Sequence, residues 1–377
     1  MLPLELSRWT MTLAPEIRLL LCCARSRLTS SAAARLTTLQ AGPLDWDVVL
    51  DEAVRHGLIP LLYRQTPALH APGPALDRLE REFAAASQRS LALTAELVDV
   101  MRMFRTAGVS ATPFKGPALA AAVYGDVTLR QFRNLDILLH RADVAAAERV
   151  LAHLGYRAQP SSRYARGYLR GDTTIDLHWA IAPRCFGSRS SVAGLWVRRR
   201  PVTLDELRLS IPAPEDHLLL LALHAGQHVW GRIGWLADVA ELLERHPALD
   251  HAAVRYEARR HGIERLVRLG LALASALVDA PLSREVAAWV RRDHGLDGLV
   301  RHVCARRLRP AAAPPGLVEA AGFHLRSRER WADRMGHAAR GAGTVLTLPA
   351  RLAVRASAGL RERSRPTATV TPVLQRR

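Results

Sequence analysis

The sequence predicts an α+β fold, a small mixed sheet flanked by N-terminal and C-terminal helical regions. Three observations predict it. Residues 109–179 read as strand, glycine turn, helix, strand, helix and strand pair, whereas both flanks carry apolar residues at three- and four-residue spacing. Lys115 is the one lysine among 53 basic residues and stands at the glycine turn; that suggests a site where a compact ammonium differs from a planar guanidinium, the bland alternative being a stray lysine in an arginine-biased composition. Asp136 and Asp176 each interrupt an apolar strand, where a carboxylate is costly unless charge or hydrogen bonds meet it.

At 377 residues with 49% hydrophobic content, the chain is long enough for two or three domains. We divide it into an N-terminal helical region (1–107), an α/β core (108–200), a C-terminal helical domain (201–309) and a basic, partly helical tail (310–377) whose end, from Ser364, reads as disordered. Cys22, Cys23, Cys185 and Cys304 have no metal-knuckle spacing, and adjacent Cys22 and Cys23 make a poor disulfide pair. Reduced thiols and a cytoplasmic location are therefore expected. The run Leu19 to Cys23 follows Glu16 and Arg18 and lacks a small-residue cleavage site, so no secretory signal is read. No stretch approaches the ~20 apolar residues of a membrane span. The net charge is +18, and half of the excess falls in residues 324–377. Aromatic residues make up only 5% and do not alternate with arginine. Nucleic acid therefore remains a lesser ligand class, reached through the basic tail.

Taken in order, Pro15 to Arg27 and Asp45 to His56 read as helices, the second capped by Asp45. Leu76 to Ala107 is one long helical pattern with a break near Ser87. Val109 to Phe114 is a short strand at a sheet edge, because Pro113 cannot donate to a ladder. After the turn, Pro117 to Tyr124 and Ala142 to Leu154 are helices, with a strand at Leu135 to Leu139 between them. Arg163 to Arg170 and Thr173 to Trp179 form a hairpin whose second strand puts Thr174, Asp176 and His178 on one face. From Pro201 the chain reads as helical, with helices from Pro214, Ile233, Asp250, Ile263 and Ser283, and another around Arg326 to Arg340. The run Arg198-Arg199-Arg200 reads as a solvated loop.

Two carboxylates on separate short strands of one small sheet, converging on a sheet face, suit Mg²⁺, a hard ion that takes oxygen ligands together with phosphate oxygens. The turn at Lys115-Gly116 supplies backbone N–H groups and a cation for phosphates. Those are the parts of phosphoryl-transfer chemistry. The bland alternative pairs Asp136 with Arg130 or Arg133. For His178, beside Trp179, a packed or hydrogen-bonded role is expected. His224 and His228 share a helix face near Asp238, a spacing compatible with zinc. No glutamate follows the first of them, so satisfied histidines beside Trp230 and Trp235, lining the acceptor side of a cleft, are expected.

These pieces resemble the bacterial branch of the DNA polymerase beta-like nucleotidyltransferase superfamily. The resemblance is carried by Lys115-Gly116, Tyr124-Gly125, Arg130, Asn134-Leu135-Asp136 and Asp176-Leu177-His178-Trp179. Leu44-Asp45-Trp46, His56 to Leu61, Pro214-Glu215-Asp216, His224, His228, Trp230, Trp235 and Asp238 extend it over residues 12–340. It implies a nucleotidyltransferase core moving a nucleoside monophosphate from an NTP, ATP being the expected one, to a small-molecule, sugar or protein acceptor. It also implies Asp136 and Asp176 as catalytic carboxylates and, with Asn134, as the Mg²⁺ site. Lys115, Gly116 and Arg130 would bind the nucleotide phosphates; Arg130 could equally pair with an acid. One position departs: the first Asp of the family's Asp-x-Asp is Asn134 here. That removes a charge from the metal site and keeps open a catalytically degenerate nucleotide-binding or scaffold protein.

Overall fold

The structure is a computed structural model and describes residues 12–161, 164–180, 193–329 and 334–335. Cys185, most of the helix expected around 326–340 and the end of the basic tail lie outside the described residues. The chain opens with α1 (Pro15–Cys23), α2 (Ser30–Gln40), α3 (Trp46–His56) and α4 (Ile59–Arg64). Asp45 caps α3 as expected, its Oδ1 accepting from the Asp47 and Val48 N–H groups at 3.0 and 3.1 Å. Gly57 closes that helix at φ 72°, the left-handed conformation glycine adopts without strain. The apolar run Leu19 to Cys23 is core, and Cys22, Cys23 and Cys304 are buried free thiols.

Helix α5 (Gly73–Thr106) is unbroken over 34 residues, so the break expected near Ser87 does not occur. An interior serine costs a helix only about 0.5 kcal/mol, and packing at both ends outweighs it. Leu79 lies in the helical core, whereas Leu93, Leu97, Met101 and Phe104 lie under the sheet.

The sheet comprises β1 (Ala111–Pro113), β2 (Asn134–Leu139), β3 (Arg157–Ser161), β4 (Ala165–Arg170) and β5 (Thr173–His178), in the order β1-β2-β5-β4-β3. Strands β2 and β5 are parallel and the other pairs antiparallel, giving the mixed sheet and α+β class expected. Pro113 lies on the edge strand β1. Leu135, Ile137 and Leu139 of β2 and Ile175 and Leu177 of β5 bury one face. Helix α6 (Gly116–Tyr124) follows β1 and α7 (Val144–His153) follows β2. Strand β3 was not anticipated; its segment lacks regular alternation, and its pairing with β4 shifts register.

After α8 (Ala193–Arg198) comes a hairpin, β6 (Arg200–Leu204) and β7 (Leu207–Ile211), where helix was expected. Leu207, Leu209 and Ile211 bury at strand period. Asp205 and Glu206 turn the chain at φ 45° and 61°, as a tight two-residue hairpin requires. The arginine run is not a solvated loop either. Arg198 pairs with Asp216 at 2.6 Å and Glu257 at 3.3 Å, and Arg199 stacks on Trp196 and donates to Thr112 Oγ1.

The C-terminal helices are α9 (Pro214–Gln227), α10 (Ile233–Arg245), α11 (His251–His261), α12 (Glu264–Val278) and α13 (Arg284–Arg291). Two more, α14 (Leu296–Arg307) and α15 (Leu317–Arg326), were not anticipated. Helices from both ends of the chain share one continuous core, in which Leu20 and Leu50 join Leu236 and Leu273. Arg25 and Glu241, both buried, pair across it at 2.9 Å. Among the described residues, no helix is long and apolar enough to cross a membrane.

The sheet is tied to this helical layer by charge. Arg130, just before β2, gives Nε and Nη2 to Asp238 of α10 at 2.8 and 2.9 Å, and Tyr124 donates to Asp238 Oδ1 at 2.9 Å. Removing one partner leaves a buried guanidinium unpaired, so Asp238→Ala is expected to lower unfolding free energy by about 3–5 kcal/mol, read from urea denaturation. A second expectation concerns acid. Burial lowers His217 to about 4, although a hydrogen bond with the Phe114 backbone opposes this. Between about 6.5 and that value the unfolded chain holds the proton and the folded one does not. Stability should therefore fall on acidification through this window, by up to about 1.4 kcal/mol per pH unit from this group. His217→Gln should flatten that slope in denaturation curves taken across the window.

Candidate active site

Registry builds the site. Asp136 is the direct neighbour of Asp176 in the β2–β5 ladder, and side chains at paired positions of parallel strands point the same way. His178, two residues on, shares the Asp176 face, so Asp136, Asp176 and His178 offer ligand atoms within 4.8 Å of one another. This spacing and donor set fit a divalent cation, whose ligands stand about 2–2.5 Å from the ion.

The Lys115 ammonium lies 3.4 Å from Asp136 Oδ1, and His178 Nε2 lies 2.9 Å from the same oxygen. Burial opposes ionisation of Asp136, yet the Lys115 charge and the His178 hydrogen bond outweigh it and hold the carboxyl well below the usual carboxylate range. The alternative pairing of Asp136 with Arg130 or Arg133 is not what meets it. Asn134 Nδ2 donates to Asp176 Oδ2 at 2.7 Å, so the residue at the family's first acidic position contacts the carboxylate through its amide N–H. Phe114 packs edge-on against His178, ring centres 5.1 Å apart, and fixes the imidazole.

Two glycines shape the floor. Gly116 turns the chain at φ 56°, and a Cβ there would stand 3.3 Å from the Asn134 carbonyl oxygen. Gly167 of β4 lies beside Asp176, where a Cβ would meet Oδ1 at 3.2 Å. Sequence reasoning missed Gly167; a glycine inside a strand signals such a close approach.

A cleft of about 490 Å³ opens over these groups. Lys115, Gly116, Asn134, Asp136, Asp176 and His178 line one side, and His224, His228 and Trp235 line the other. Arg130 also borders the cleft, but its guanidinium is engaged with Asp238. The zinc-compatible trio does not assemble, because Asp238 is occupied by Arg130 and Tyr124. His224 and His228 instead cluster with Trp235, ring centres 4.9 to 5.6 Å apart, while Trp230 is fully buried in the core. Burial, followed by the Lys115 charge, pushes both histidines below their usual value, so they face the cleft as neutral rings. Arg133 and Arg232 bring further positive charge to the same cleft; Arg232 was not singled out from the sequence, and Arg133 only as a partner for Asp136.

No curated protein matches the chain. Among solved structures, the antibiotic-resistance factor ANT(2'')-Ia in solution is 16% identical, covering 46% of this chain and 97% of that one, with a TM-score of 0.34. An antigenic nucleotidyltransferase-like protein from Paracoccidioides brasiliensis is 14% identical, covering 54% and 97%, with a TM-score of 0.33. Likenesses this distant carry no weight for activity. The uncharacterised nucleotidyltransferase family matches residues 42–279, more than half of the chain and the whole of the cleft described above. The chain belongs to the uncharacterised nucleotidyltransferase family.

Proposed function

We propose that the protein transfers a nucleoside monophosphate from an NTP, ATP being the expected donor, to a hydroxyl of an acceptor, in a reaction dependent on a divalent cation such as Mg²⁺. The observation that carries this reading is the in-register pair Asp136 and Asp176 with the lone lysine beside it. In the reaction the acceptor oxygen bonds to the α-phosphorus, the bond from that phosphorus to the bridging oxygen breaks, and pyrophosphate leaves with the electron pair. Asp176 is the base that takes the acceptor proton. Asp136, Asp176 and His178 are the residues that would hold the cation, and Asn134 orients Asp176 through its amide. A bound cation would supply charge neutralisation on the phosphates. Lys115 contributes its ammonium to the phosphates, and the Gly116 turn brings backbone N–H groups close to them. Arg130, with its charge directed at Asp238, acts on phosphate at most through the field of the cleft wall.

One observation favours a second reading. The Asn134 amide already satisfies Asp176, as expected of a degenerate core that binds nucleotide without turnover. Calorimetry with ATP, with and without Mg²⁺, beside a pyrophosphate-release assay separates the two.

If transfer is the activity, Asp136→Ala and Asp176→Ala should each lower it by about a hundredfold or more with Asp176→Ala melting as the parent does; full activity in the double variant would remove the mechanism. Lys115→Arg should lose about tenfold or more, because the planar guanidinium does not reproduce the ammonium's contact; parent-like steady-state rates would count against the phosphate role. Asn134→Asp adds a ligand charge and should tighten Mg²⁺ binding by roughly tenfold, measured by calorimetry.

A further inference from the structure

Asp136 and Asp176 supply oxygen, but the third side chain at the site supplies nitrogen. His178 is held against Phe114 and is 12% exposed, with Nε2 aimed at the Asp136 carboxylate. Its Nδ1 is buried without a hydrogen-bond partner among the described residues, so it can take the ring proton when Nε2 gives its lone pair to an ion. Asn134, at the position where a third carboxylate would stand, turns its amide N–H toward Asp176. That leaves two carboxylates and one imidazole, too few anionic oxygens to bridge a pair of divalent ions.

We propose that the cleft holds one cation, ligated by Asp136, Asp176 and His178, and that the imidazole makes the site select a first-row transition-metal ion over Mg²⁺. The inference rests on the nucleotidyl-transfer reading for its purpose, though not for its test. Mg²⁺ takes oxygen ligands and sheds water reluctantly, so an imidazole adds little to its affinity. Ions from Mn²⁺ onward accept imidazole, with affinity rising along the series towards copper. Mn²⁺ also favours the carboxylate, water and phosphate ligands that phosphoryl transfer uses, which makes it the natural probe.

The test is a Mn²⁺ titration of the full chain followed by electron paramagnetic resonance, with no nucleotide present. One Mn²⁺ per chain is expected, with nitrogen hyperfine coupling from a directly bound imidazole, and Mg²⁺ should displace it only at about tenfold excess or more. His178→Gln should abolish the nitrogen coupling and weaken Mn²⁺ by roughly tenfold or more while changing Mg²⁺ far less. Should that variant fail to fold, the coupling in the parent protein decides alone. Two Mn²⁺ per chain, bound Mn²⁺ without nitrogen coupling, no Mn²⁺ binding, or equal preference for Mg²⁺ would each overturn the proposal. Absence of pyrophosphate release with either ion would instead remove the transfer reading while leaving the ligand assignment standing, so the two failures are distinguishable.

Discussion

The parallel pairing of β2 with β5 is the constraint on which the rest of the site depends. Parallel strands cannot be joined by a tight turn, so the chain between Leu139 and Thr173 must cross over through α7 and return by way of β3 and β4. That crossover sets Asp136 beside Asp176 rather than one residue out of step. A slip of one position would send one carboxylate into the apolar face with Ile175 and Leu177. Two neighbouring carboxylates repel, and the fold answers with donors on each: an ammonium and an imidazole on Asp136, and an amide on Asp176.

The opposite wall follows from a second charge contact. Arg130 and Asp238 join the approach to β2 with the middle of α10, and Tyr124 at the end of α6 completes the triangle. Because α10 belongs to a core built from both ends of the chain, this contact ties the sheet to the whole helical layer. It also explains why an arginine expected at phosphate serves structure. At 2% side-chain exposure, Asp238 needs a cation more than a solvated phosphate does.

Much of this was legible before any coordinates. Strands with an anomalous acid at the centre, the glycine after the lone lysine and the aspartate cap of α3 are local signals whose physical cause lies within a few residues. The edge position of Pro113 belongs with them, since a missing N–H is a property of the residue itself. What stayed illegible depended on partners far along the chain. Arg198 looks like part of a solvated run until Asp216 and Glu257 are brought to it. The hairpin at 200–211 carries two polar residues at its turn and only short alternation, and the strong helix from Pro214 overshadows it. The unbroken α5 shows tertiary packing overriding a weak local preference. At the site, the two acids, the lysine turn and the shared face of Asp176 and His178 were legible, whereas Asp238 as the acid that engages Arg130 and the contact of His178 with Asp136 required the fold. Gly167 matters only because β4 runs beside β5.

Helix α5 also bears on how the cleft can move. One continuous helix, roughly 50 Å long at 1.5 Å per residue, passes from the helical core to the underside of the sheet, so the cores behind the two walls of the cleft share the same beam. A jaw-like rotation of one wall against the other would have to bend that beam or tear its packing. Ligand entry is therefore better served by rearranging side chains at the rim than by swinging whole lobes apart. An enzyme built this way would meet its substrates with a largely preset opening, trading adaptability for a catalytic geometry that needs little assembly.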